Sequence, residues 1–305
     1  MQRMRQTKKR SPIALVVVIM LVFVGCGLMI RELSRSVVVN NQVRNNFVMT
    51  SVDGVVSVVS FDPSEKRVVM IPLSQLLVRS RSAGEYKATQ LYTLGSYDGE
   101  PGAFVKRKVQ GFLKLPLTSY LISTKEGRDG LRYALWRQIF QGSYSTISRI
   151  DALYLLYSSY AYSFQTITTD ELVREGVIVE RENQEYEVLA QRLKQFVGSR
   201  FFDWRVGNEG VTVVVMNETG SDGLGSDVAD FLMNVGMDVI AVRSDASQNR
   251  ETTQVVFAKP ESGKSASEVV LRMILGNAEF VYGRDLAEFR SEVVVRVGRD
   301  LLEMF

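Results

Sequence analysis

The clearest pattern lies late in the chain. A β-branched run at residues 211–215 stops at a turn-forming stretch, Asn217-Glu218-Thr219-Gly220, and the apolar spacing then changes from strand-like to helix-like. Leu224, Val228, Phe231, Leu232 and Val235 share one helical stripe, and Gly236 stands where a left-handed C-terminal residue is wanted. Residues 238–242 predict a second strand, which makes the segment a βαβ unit. Residues 255–257 predict another strand. Ser265-Ala266-Ser267-Glu268 reads as a capping box opening a helix with Val269, Val270, Met273 and Ile274 on its buried face, and Gly276 ends it. Residues 280–282 and 293–297 complete a small sheet of about four or five strands.

Earlier, residues 47–51, 55–61 and 67–72 predict strands. Asp62-Pro63-Ser64-Glu65 supplies the turn between the last two. A polar, Gly-containing stretch leads to residue 84, residues 95–102 read as a loop, 103–113 as a helix and 120–124 as a strand. Between residues 149 and 164 the spacing of Tyr154, Tyr157, Tyr160, Tyr162 and Phe164 predicts a helix packed by its aromatic face, with stacking on carbohydrate as the sharper alternative. Residues 185–197 predict an amphipathic helix on Tyr186, Leu189, Leu193, Phe196 and Val197. A polar step at 205–210 marks the boundary between domains at 47–206 and 209–305. The expected fold class is α/β (α+β): two domains with mixed sheets flanked by helices.

Before these domains stands an uncharged apolar run at residues 13–30. A basic tail precedes it at residues 1–10, with Arg3, Arg5, Lys8, Lys9 and Arg10. The run is long enough to cross a hydrocarbon core of roughly 30 Å with slight thinning. The basic flank keeps its start in the cytoplasm. The expectation is a single-pass transmembrane anchor at 11–30 in a bacterial cytoplasmic membrane, with the body outside. Phe23-Val24-Gly25-Cys26 resembles a lipobox, so lipidation of Cys26 after cleavage is the alternative. Apolar residues continue past Cys26, which favours the uncleaved anchor.

Composition narrows the chemistry. The chain of 305 residues has no histidine and one cysteine. Histidine bases, histidine ligands, Cys-His pairs and intrachain disulfides are therefore excluded. The net charge of +3 comes from the tail: without its five cations, the 37 basic residues fall below the 34 acidic ones. A near-neutral body with no helix-turn-helix pattern argues against nucleic acid as a partner.

The second half resembles the C-terminal module of the LytR-CpsA-Psr family of envelope proteins. The likeness rests on the first strand, on Asn217-Glu218-Thr219 where the family favours Asn-Gly-Thr, on Gly223-Leu224, on Thr252-Thr253, and on Gly298-Arg299-Asp300 after the closing strand. The first half is similar to that family's catalytic domain. The residues are 58–63 followed by 67–72 ending in Ile71-Pro72, and Lys87-Ala88-Thr89-Gln90-Leu91-Tyr92 with Gly95. The resemblance implies an enzyme that moves a glycopolymer from a polyprenyl pyrophosphate onto peptidoglycan, with magnesium on aspartates and pyrophosphate on arginines. The departures fall on those residues. Leu73 and Ser74 stand where the family has Arg-Asp, Asp53 fits only with a one-residue slip, and the late arginine patch is reduced to Arg149.

A magnesium-pyrophosphate site needs several converging charges. The sequence therefore reads as a pseudoenzyme: a non-catalytic, membrane-anchored protein that binds or scaffolds at the cell wall. Expected partners are the membrane and peptidoglycan, an envelope glycopolymer or another envelope protein. No catalytic residue, metal or cofactor is assigned. The alternative is an active phosphotransferase using magnesium and relocated arginines. Arg79, Arg81, Lys87 and Arg149 are the candidate anion-binding residues, with Lys106-Arg107-Lys108 as a further basic cluster. Gly220, Gly223 and Gly225 invite a phosphate-loop reading, which Glu218, Asp222 and Asp227 oppose by their charge. Mass spectrometry of the mature protein is expected to show an N-terminus upstream of Cys26; a chain starting at a diacylated Cys26 overturns the anchor.

Overall fold

A computed structural model describes residue 36 and residues 44–80, 84–142, 145–181, 186–245, 249–259, 265–302 and 304. The anchor at 13–30, Cys26 and Arg81 lie outside the described residues. Among those described, no helix is long and apolar enough to cross a membrane.

The first domain is a mixed five-stranded sheet with helices on both faces. Its strands are β1 (Asn45–Ser51), β2 (Val56–Asp62) and β3 (Arg67–Pro72), then β6 (Ser119–Ser123) and β7 (Ser163–Thr166), in the order β6-β1-β2-β3-β7. The central three run antiparallel. The outer two join parallel, Phe47 facing Ser119 and Arg67 facing Ser163. Strands β1 and β2 are buried along their whole length, so both faces carry apolar side chains. Val48, Val58, Val69 and Ile71 face one way, onto α2 (Pro101–Leu113), α6 (Ala190–Phe201) and the hairpin of β4 (Leu77–Ser80) with β5 (Gly84–Lys87). Phe47, Met49, Val59, Phe61, Val68 and Met70 face the other, onto α3 (Gly127–Gln141) and α4 (Arg149–Ala161). Helix α1 (Leu91–Tyr97) precedes α2. Helix α5 (Thr169–Arg174) and the small hairpin of β8 (Ile178–Glu180) and β9 (Tyr186–Val188) precede α6.

Helix α7 (Trp204–Glu209) leads into the second domain. Its sheet has the order β11-β10-β14-β12-β13, from β10 (Thr212–Asn217), β11 (Asp238–Ser244), β12 (Gln254–Phe257), β13 (Glu279–Val281) and β14 (Val293–Val297). Only β12 and β14 pair antiparallel. Helices α8 (Leu224–Asn234) and α9 (Ala266–Ile274) cover the face made by Val213, Val215, Val255, Val293 and Val295. Leu286 and Phe289 close over Val214, Val256 and Val294 on the other.

Several expectations need correction. Residues 185–197 are not one helix: Tyr186–Val188 pairs with Ile178–Glu180, and the helix begins only at Ala190. A short apolar spacing fits either periodicity, and the available partner strand decided it. The 149–164 helix stops at Ala161, and Phe164 belongs to the edge strand β7. The polar stretch through residue 84 is a hairpin, with Arg79 opposite Glu85. The step at 205–210 is mostly helix, closed by Gly210 at φ +60°. The Ser265 cap holds, its hydroxyl accepting from the Glu268 N–H at 3.0 Å, but Glu268 does not answer it. Its buried carboxylate accepts from the Tyr282 hydroxyl at 2.7 Å and Arg272 Nε at 3.2 Å. Glu209 meets the first helical N–H groups instead, at Ala266 and at Ser267 (2.8 Å).

The domains are joined by buried polar groups. Arg44, at the start of β1, is almost fully buried, as is its ion-pair partner Asp62. The Arg44 guanidinium also donates to the Arg200 carbonyl, and its N–H donates to the Asp203 carboxylate at 2.9 Å. Asp203 caps α7 through the Arg205 N–H, and its own N–H donates to the Val235 carbonyl at the end of α8. Nearby, Asn234 donates to the Lys114 carbonyl at 2.8 Å, and Lys114 pairs with Asp227 at 2.9 Å. Replacing Arg44 by alanine leaves Asp62 buried without its cation, which costs about 3–5 kcal/mol. Arg44→Ala is expected to lower the urea midpoint accordingly; an unchanged midpoint would show that the pair contributes nothing to holding the fold.

Candidate functional site

Of the residues singled out as anion ligands, Lys87 and Arg149 stand on opposite sides of the first sheet. Lys87 ends β5, whose neighbours Tyr86 and Ala88 pack on the α2 side of the sheet. Arg149 opens α4, which packs on the opposite side through Ala152 and Leu155. Arg149 lies instead along Gly142, where a Cβ would come 2.9 Å from its guanidinium. Arg79 shares the hairpin with Lys87, and Arg81 lies outside the described residues. The positions that the family resemblance assigns to Arg-Asp are structural here. Leu73 is buried in the core, and the Ser74 hydroxyl accepts from the Val56 N–H at 3.1 Å. Asp53 is exposed on the β1–β2 turn. Among the described residues, no group of three or more Asp, Glu, His or Cys could hold a metal ion.

A cleft of about 460 Å³ lies between the domains. Helix α2 supplies one wall with Lys106, Arg107 and Gln110, extended by residues 116–118. The second domain supplies the other with residues 273–278, Thr253, Asp300, Leu301 and Met304. Gln110 is buried and spends its carbonyl oxygen on the Leu117 N–H at 2.9 Å, which fixes the loop after α2. Thr118 closes that loop onto β1, its N–H donating to the Asn46 carbonyl at 2.8 Å. Lys106 donates to the Thr118 carbonyl at 3.2 Å. Burial, and then the Arg107 charge beside it, lower the Lys106 ammonium below the ordinary lysine value.

The opposite wall is braced by a lock near the chain end. Asp300 accepts from the Thr253 N–H at 3.0 Å and from its hydroxyl at 2.6 Å, and Thr253 is fully buried. The Thr253 hydroxyl in turn accepts from the Gly298 N–H at 3.0 Å. A side chain at Gly298 would sit 2.6 Å from the Thr253 nitrogen, so glycine is required there by close approach. The first turn of this domain is locked in the same way. Asn217 accepts from the Thr219 N–H at 3.2 Å and donates to the Ser221 carbonyl at 2.8 Å. Glu218 does not face the loop mouth: its carboxylate is buried, paired with Arg250 and with Arg296 at 3.6 Å. The acid that departs from the family pattern is thus part of the fold, and the Gly220–Gly225 loop gains no ligand from it.

Residues 210–301 match the LytR_C family model, LytR cell envelope-related transcriptional attenuator. The match spans the C-terminal domain. Thr253, Gly298 and Asp300 of the cleft wall all belong to this module. No curated protein matches the chain. Among solved structures it is similar to "TagT bound to LI-WTA" at 12% identity, over 51% of this chain and 88% of that one, with a TM-score of 0.37. It is similar to "LytR-CPS2A-psr family protein YwtF (TagT) with bound octaprenyl pyrophosphate lipid" at 12% identity, over 51% and 88%, with a TM-score of 0.36. It is also similar to TagV of B. subtilis at 13% identity, over 50% and 94%, with a TM-score of 0.34.

The sequence singled out Lys106 and Arg107 as one basic cluster among others. It gave no sign that the second domain would complete a cleft around them, because that depends on how the domains dock. The lowered Lys106 value has a consequence for stability. Between that value and the ordinary 10.5, the unfolded chain holds a proton that the folded chain has released. Stability therefore rises with pH across this window. Urea titrations are expected to show that rise in the parent chain and to lose it in Lys106→Met; equal slopes would contradict the burial of the charge.

Proposed function

We propose that the protein is a membrane-anchored, non-catalytic envelope protein that binds an anionic wall glycopolymer in the cleft between its two domains. The observation that carries this reading is the placement of Lys106 and Arg107 on one wall of the cleft, opposite the locked end of the LytR_C domain. Two cations on a rigid helix offer charge-assisted hydrogen bonds to a phosphate or carboxylate. The polar and apolar groups around them, Asn277, Leu301 and Met304 among them, suit a sugar chain. The non-catalytic half of the reading is supported by the separation of Lys87 from Arg149 and by the structural duties of Leu73 and Ser74. The anchor is supported by the apolar run at 13–30 behind its basic tail.

Isothermal titration with a phosphate-bearing wall glycopolymer is the test. Binding is expected to weaken about tenfold or more in the double variant Lys106→Gln/Arg107→Gln, since one lost charge-assisted bond suffices for that factor. Equal affinity in the variant, or no sedimentation of the parent protein with isolated wall, sinks the cleft. Magnesium-dependent turnover of a polyprenyl-pyrophosphate-linked glycan, abolished by Arg79→Ala or Arg149→Ala, would show instead that the chain is an enzyme.

A further inference from the structure

Helices α3 and α4 lie side by side on the first sheet, antiparallel, and turn an unusual face to solvent. On α3 the outward residues are Tyr133, Trp136 and Phe140, spaced as one helical stripe. Trp136 is 50% and Phe140 64% exposed, with their rings 4.8 Å apart. On α4 they are Leu153, Tyr157 and Tyr160, the last two 68% and 64% exposed. The buried faces of the same helices carry Leu131, Ala134, Leu135, Ala152 and Leu155, so the outward stripe is not needed for the core. Basic groups sit among the exposed rings. Arg132 lies over Tyr160 at 3.7 Å, and Lys125 over Tyr133 at 4.9 Å. Between residues 125 and 149 the sequence carries Lys125, Arg128, Arg132, Arg137 and Arg149 against Glu126 and Asp129.

Aromatic rings with amphipathic edges, mixed with Arg and Lys, match the polar–apolar boundary of a bilayer whose headgroups are anionic. A tether points the same way. The Ser36 hydroxyl donates to Asp151 in the first turn of α4. Residue 36 follows the end of the apolar run at Ile30 by a chain that can span at most roughly 20 Å. We infer that the outer face of α3 and α4 docks on the anionic surface of the membrane that holds the anchor, with Trp136 and Tyr157 at headgroup depth. This rests on the anchored reading proposed above.

The test uses the full chain in vesicles of phosphatidylcholine with or without phosphatidylglycerol. The chain has two tryptophans. Trp204→Phe leaves Trp136 as the reporter, and Trp136→Phe leaves Trp204 as the control. In phosphatidylglycerol vesicles Trp136 emission is expected to shift to the blue and to be quenched at least twofold by brominated lipid, with Trp204 unaffected. High salt and the double variant Arg128→Gln/Arg137→Gln are expected to reduce that quenching. Flotation of the vesicles separates the two readings. Protein that floats while Trp136 stays unquenched overturns the docking alone; protein that does not float overturns the anchor and the docking together. A blue shift without lipid, accompanied by dimers in sedimentation, would assign the face to a second copy of the chain and also overturn the proposal.

Discussion

Arg44 is the group on which the arrangement of the two domains depends. A guanidinium removed from water must find its hydrogen bonds inside the protein; that of Arg44 donates to Asp62 and to the Arg200 carbonyl, while the Arg44 backbone N–H reaches Asp203. Asp62 belongs to the β2–β3 turn, where the same carboxylate accepts from the Ser64 N–H at 3.0 Å. The Arg200 carbonyl ends α6. Asp203 begins α7 and, through Val235, reaches the end of α8. One buried cation thus fixes the first strand against the connection between domains. Gly236, at φ +105°, lets the chain after α8 come close enough, since a side chain there would lie 2.9 Å from the Asp203 carbonyl.

The cleft is a consequence of that docking. Its α2 wall is held by Gln110 and Thr118, its second-domain wall by Thr253, Gly298 and Asp300, and neither wall encloses anything alone. Two internal locks facing one another make both walls rigid. The first turn of the second domain shows the same economy. Asn217, Thr219 and the buried Glu218 spend their polar groups on the fold, so the first loop is a brace.

The cleft and the aromatic helix pair stand on opposite sides of the first sheet: α2 covers the Val48 face, while α3 and α4 cover the Phe47 face. A bilayer against one leaves the other open. This polarity comes from β1, whose alternate residues serve both faces, so the sheet separates the surfaces by its own thickness plus a helix layer on each side.

Much of this architecture was legible in the residues. The βαβ unit at 212–244 follows from valine-rich strands, a single apolar helix stripe and a glycine at each end of that helix, all of which are local. The strand at 293–297 and the hairpin at 56–72 are equally local, and they stand where the pattern put them. The boundary at 185–190 was misread because Tyr186 and Val188 satisfy either period until a partner strand is known. Helix α3 left little trace, since its two faces are both apolar: Leu131 and Leu135 inward, Tyr133, Trp136 and Phe140 outward. The candidate arginines illustrate the wider limit. Sequence could say that Arg149 and Lys87 are basic, but only the sheet between them decides that they do not meet. Sequence could equally say that Lys106 is charged and Asp300 is acidic. That they line one cleft follows from Arg44 and Asp203, because packing between distant segments is set by buried charges seeking partners and by shapes that no local pattern encodes.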